Sequence, residues 1–91
     1  MPKRTDANQV EIMRALRGVG AAVLDLSQVG HGVPDLLVWY RGRYMLMEVK
    51  SPAGRLTEHE RRWHEAWPDE VIIVRSVDDA LRAIGQEKEM P

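Results

Sequence analysis

Asp35, Glu48 and Lys50 are residues whose types and spacing suit the hydrolysis of a phosphate ester. Breaking a phosphodiester calls for a nucleophilic water and for stabilisation of the charge that builds on the phosphate and leaving oxygens. A divalent cation does both. Magnesium takes oxygen ligands, commonly one or two carboxylates, with water and substrate phosphate in the remaining positions. Asp35 and Glu48 supply two carboxylates, and the Val49 carbonyl between Glu48 and Lys50 offers a further oxygen. Lys50 is then the cation beside the pair, suited to hold the attacking water or to stabilise developing negative charge. It is not assigned as a free general base.

These groups can act together only if one sheet face carries them. Residues 35–40 and 43–50 are strand-like runs on either side of Arg41-Gly42-Arg43, which reads as a hairpin. A type II′ turn at Gly42-Arg43 sets Arg41 opposite Tyr44 and Asp35 opposite Lys50. Side chains alternate along a strand, so Asp35, Glu48 and Lys50 then point one way. Leu36, Val38, Tyr40, Met45, Met47 and Val49 point the other way and form an apolar surface for a helix. A three-residue loop would rotate the register by one and separate Asp35 from the other two.

Around the hairpin, Asp6 is an expected N-cap for a helix to about Arg17, with Val10, Met13 and Leu16 as its apolar stripe and Gly18 and Gly20 as its stop. Ala21 to Leu26 reads as a strand, and VGHGVP as a loop whose glycines let backbone approach a ligand. After the linker Ser51–Gly54, Thr57 and Glu60 form a capping box for a helix that Pro68 ends. EVIIVR (70–75) reads as a buried strand, and Ser76 with Asp79 caps a last helix closed by Gly85. Residues 1–85 form one expected domain and 86–91 a disordered tail. The order αβββαβα implies an α/β (α+β) fold, a mixed sheet of about four strands flanked by helices.

A chain of 91 residues has room for one modest core, and without cysteine neither disulfides nor a thiolate zinc site can hold it together. Packing, helped by self-association, must do so. No apolar run approaches the roughly 20 residues that cross a bilayer, and the first residues are not signal-like, so a soluble cytoplasmic protein is expected. A net charge of -1 argues against a basic nucleic-acid coat, yet phosphate gripped through a metal needs only local positive charge.

Pro34-Asp35 followed on a hairpin by Glu48-Val49-Lys50 resembles the PD-(D/E)XK nuclease motif. Beyond it, DANQVEI, VGHGVPDLLV, MEVKS and LTEHERRWHE resemble the small VRR-NUC branch found as stand-alone proteins in phages and bacteria, and the likeness covers nearly the whole chain. It implies a restriction-endonuclease-like core and a Mg2+- or Mn2+-dependent endonuclease acting on DNA. Its metal ligands would be Asp35, Glu48 and Val49, joined by a glutamate of the first helix that Glu11 matches better than Gln9 does. Members of this branch often carry a glutamine where this chain has Glu60. Those without helicase domains are dimers that cut branched DNA such as four-way junctions, and a symmetric dimer would supply two metal sites for paired incisions.

By itself a PD followed by an ExK is a weak signal, because such residues are common on solvated hairpins. The shared polar face, the apolar opposite face and the glycine loop favour the nuclease reading. Glu11 is equally readable as an exposed helical glutamate, whereas His31 could bind phosphate but reads better as an exposed loop residue. Arg41, Arg43, Arg55, Arg61 and Arg62 could grip a DNA backbone, but beside Glu58 and Glu60 many read as ordinary surface charges. Trp39, Trp63 and Trp67 could stack bases, though Trp63 and Trp67, four apart, read better as core or dimer contacts, and Tyr40 and Tyr44 as packing residues. The competing function is a catalytically silent nucleic-acid-binding or assembly module on the same fold.

Overall fold

The computed structural model describes residues 7–85 and orders its elements as α1 (Ala7–Gly18), β1 (Ala22–Asp25), β2 (Leu36–Tyr40), β3 (Arg43–Val49), α2 (Glu58–Ala66), β4 (Val71–Val74) and α3 (Val77–Ala83). The cap expected at Asp6 and the tail expected from residue 86 lie outside the described residues. The strands lie in the order β1-β2-β3-β4, with antiparallel pairing up to β3 and β4 parallel to β3. A parallel neighbour needs a crossover, and α2 is that crossover. This is the mixed sheet with flanking helices that the element order implied.

The hairpin turn differs from expectation. Its central residues are Arg41 and Gly42, with φ of 49° and 83°, so both are left-handed as a type I′ turn requires. Arg41 tolerates this conformation with its guanidinium 5.0 Å from the centre of the Tyr40 ring. Tyr40 therefore pairs with Arg43, and Leu36 with Met47. One step further along that register, Asp35 comes level with Glu48 and not with Lys50. The slip is two residues, and two is the period of side-chain alternation, so every side chain keeps its expected face.

On the inner face Leu36, Val38, Tyr40, Met45, Met47 and Val49 are all buried, as expected. Ile12, Met13 and Leu16 of α1, Ala21 ahead of β1, Val74 of β4, and Ala80 and Ile84 of the α3 segment complete the core. The stripe on α1 is rotated from the expected one: Gln9 and Ile12 face inward with Met13 and Leu16, while Val10 is exposed. Because Ile12 and Val10 cannot both face the sheet, the larger run around Ile12 takes the core. The helix stops on Gly20 (φ 96°), where Ala21 N donates to Leu16 O and Gly20 N to Arg17 O.

The outer face is only partly covered. Here β4 departs from a buried strand, because Val74 is buried but Ile73 is exposed. Tyr44, expected to pack, is 70% exposed on the same sheet face as Leu37, Leu46 and Trp39. The capping box of α2 and the Ser76 cap of α3 form as read from the sequence. In the VGHGVP loop Gly32 (φ 83°) lies so close to the His59 carbonyl that any Cβ would collide with it. The loop glycine does serve a close approach, but to the α2 backbone.

Candidate active site

Pro34-Asp35 leads into β2, and Glu48-Val49 ends β3 with Lys50 just beyond it, so the hairpin brings both carboxylates to one end of its outer face. Asp35 is held from both sides: its carbonyl accepts from Leu26 N at 2.7 Å and its Oδ2 accepts from Val49 N at 2.8 Å. Glu48 is 1% exposed, and its Oε1 has no hydrogen-bond partner. Burial, and then the Asp35 carboxylate against it, push the Glu48 carboxyl up to about 9, with Lys50 opposing.

Lys50 Nζ lies 3.8 Å from Glu48 Oε2 and 2.7 Å from Glu60 Oε1. Glu60 Oε1 also accepts from Thr57 N at 2.8 Å, while Thr57 Oγ1 accepts from Glu60 N at 3.2 Å. One carboxylate thus starts α2 and anchors the lysine. Burial pushes Glu60 upward, but its bonds to Lys50 and Thr57 outweigh burial and hold it below its ordinary value. One turn further along α2, His64 Nε2 stands 3.6 Å from Glu48 Oε1, also without a hydrogen-bond partner. Burial lowers the His64 pKa, and the opposed effects of Glu60 and Lys50 do not reverse it.

More distant residues fix the chain around Lys50. Its N–H donates to Val74 O at 3.0 Å, continuing the parallel ladder. Asn8 Nδ2 of α1 donates to Lys50 O and Arg75 O, each at 3.2 Å. Arg75 Nη1 clamps the following turn through Ser51 O and Gly54 O, both at 2.7 Å.

Of the candidate residues, Asp35, Glu48, Val49 and Lys50 are brought together. Glu11 is exposed on α1, three residues from Asn8, and takes no part in this cluster of bonds. Gln9 is buried and donates to Asp25 Oδ1 at 3.1 Å. His31 is exposed in a left-handed loop position (φ 59°). Arg61 and Arg62 pair with Glu58 on the surface of α2. Among the described residues no three His, Asp or Glu side chains form a ready-made metal cage. Asn8, Arg75 and His64 were missed from the sequence; for His64 the available signal was its spacing of four from Glu60, which puts both on one helix face.

The VRR-NUC domain model matches residues 2–77 of the chain. The chain belongs to the VRR-NUC family of nucleases. A solved VRR-NUC domain superposes with a TM-score of 0.67 at 27% identity, covering 87% of this chain and 96% of that one. A Fanconi-associated nuclease 1 homolog of Arabidopsis thaliana is 50% identical over 38 residues, which is 35% of this chain and 4% of the relative. The chain therefore spans a small fraction of that relative's length. The VRR-NUC assignment and the four-stranded mixed sheet agree on a nuclease fold.

Proposed function

We propose that this VRR-NUC chain is a Mg2+- or Mn2+-dependent DNA endonuclease that acts as a dimer on branched DNA such as four-way junctions. The observation that carries the reading is the buried Asp35 and Glu48 pair, with a Glu48 oxygen left unpartnered and Lys50 beside it. Two carboxylates forced together out of water are costly unless a proton or a cation offsets their charge. A hard cation that takes one or two protein carboxylates fits this donor set, and it does not require a cage of three side chains.

Asp35 and Glu48 would hold the metal with the Val49 carbonyl. Glu11 is proposed as an auxiliary oxygen donor, since it neighbours Asn8 on α1 and Asn8 reaches Lys50 O. The bound cation supplies Lewis acidity and an acidified water. The Val49 N–H keeps Asp35 oriented, and Lys50, anchored by Glu60, places positive charge where the phosphate oxygens gain negative charge.

A second copy suits the uncovered outer face. Leu37, Leu46, Tyr44, Trp63 and Trp67 line a hollow there that also carries basic Arg43 and acidic Asp69 and Glu70. A two-fold axis lets the basic group of one copy meet the acidic groups of the other.

The competing reading, a silent binding module, has one observation in its favour: Lys50 is closer to Glu60 than to Glu48. Labelled four-way junction, flap, duplex and single-stranded DNA, each with Mg2+ or Mn2+, separate the two. Metal-dependent cutting with preference for the junction, abolished in Lys50→Ala with the melting temperature preserved, is the expected result. No cutting of any substrate by folded wild-type protein, or a Lys50→Ala protein that cuts at the wild-type rate, sinks the assignment.

A further inference from the structure

Burial without a hydrogen-bond partner is uncommon for a polar side-chain atom and costs free energy. Among the described residues Glu48 Oε1 and His64 Nε2 are the atoms in that condition, and they face each other at 3.6 Å. The separation is a little too long for a hydrogen bond. Their side chains are 2% and 11% exposed, so the gap between them is closed off from bulk solvent.

The proposed site gives this gap a use, and the inference rests on Glu48 being a metal ligand. A carboxylate that holds a cation is ionised, and ligating carboxylates are themselves held by hydrogen-bond donors that fix their orientation. Asp35 has such a donor in Val49 N–H. Glu48 Oε2 has Lys50 at 3.8 Å, and Oε1 has the imidazole Nε2 at 3.6 Å and no hydrogen-bond partner. We propose that His64 is the positioning residue of Glu48: its Nε2–H donates to Glu48 Oε1 when Glu48 holds the cation, and this fixes the carboxylate for metal binding.

α2 thereby presents two holders on one face, Glu60 to Lys50 and His64 to Glu48, spaced four residues apart. A hydrogen bond explains the arrangement better than direct ligation, because Asp35, Glu48 and His64 do not form a three-ligand cage.

The test is calorimetric Mn2+ titration of wild type, His64→Ala, His64→Gln and Glu48→Gln, with melting temperatures in EDTA and Mn2+ electron paramagnetic resonance on the same proteins. His64→Ala should bind Mn2+ about 10- to 100-fold more weakly, the range for lost partners of metal ligands, at an unchanged melting temperature. His64→Gln keeps a donor at similar reach and should recover most of the affinity. Wild-type affinity in His64→Ala, with Glu48→Gln weakened, overturns the role of His64 alone. Nitrogen coupling to Mn2+ in wild type, lost in both His64 variants, overturns it in favour of direct ligation. Unchanged affinity in Glu48→Gln removes the ligand role of Glu48, and this inference with it.

Discussion

Glu48 carries the largest electrostatic tension among the site residues, and that tension is open to measurement in the metal-free protein. Its folded pKa lies near 9 against an ordinary 4.5, because burial and Asp35 both oppose the charged form. Between those values the folded chain keeps a proton that the unfolded chain releases, so stability falls as pH rises through this window. In EDTA the melting temperature should decline from about pH 5 toward pH 9, and Glu48→Gln, which mimics the protonated form, should flatten that decline. A wild-type melting temperature that rises steadily across the range would contradict the assignment. Asp35, Glu48 and Lys50 were legible in the sequence because side-chain alternation is insensitive to a two-residue slip in register. His64 was not, because its role depends on how α2 docks over the sheet, and no local pattern encodes that docking.

At the scale of elements, α2 is held in an unusual way. None of its residues is fully buried, and Trp63 and Trp67 stack on each other at 4.7 Å with Trp67 still 43% exposed. It is fastened instead by its capping box, by Glu60 to Lys50, and by the VGHGVP loop pressed against its first turn at Gly32. Gly32→Ala must therefore displace either the loop or the helix start, and it also forces alanine into a left-handed conformation. A loss of roughly 1–3 kcal/mol in urea unfolding is expected, with weaker Mn2+ binding because Glu60 and His64 move with the helix; wild-type stability would disprove this contact. The capping box at Thr57 and the N-cap at Ser76 were readable from local sequence, since capping is a short-range hydrogen-bond pattern. The rotation of α1 and the exposure of Ile73 were not, because they depend on which neighbours share the sheet.

Across the whole molecule, one sheet face ends in the carboxylates and continues into an apolar surface with Trp39 and Tyr44 exposed. If this surface closes on a second copy, Tyr44→Glu should shift the protein from dimer to monomer in light scattering without lowering single-chain helix content. An oligomeric state unchanged by the substitution would place the contact elsewhere. The mixed sheet was legible from element order, whereas its uncovered side was not, since hydropathy counts apolar residues without saying which of them find a partner. The two-residue turn between β2 and β3 bears on the order of events during folding. A short connection closes at little entropic cost, while the parallel pairing of β3 with β4 waits on a long crossover. The pairing of Asp35 with Glu48 is therefore expected ahead of the contacts that α2 makes through Glu60 and His64. Local pairing sets the two carboxyl groups level, and the crossover helix covers them.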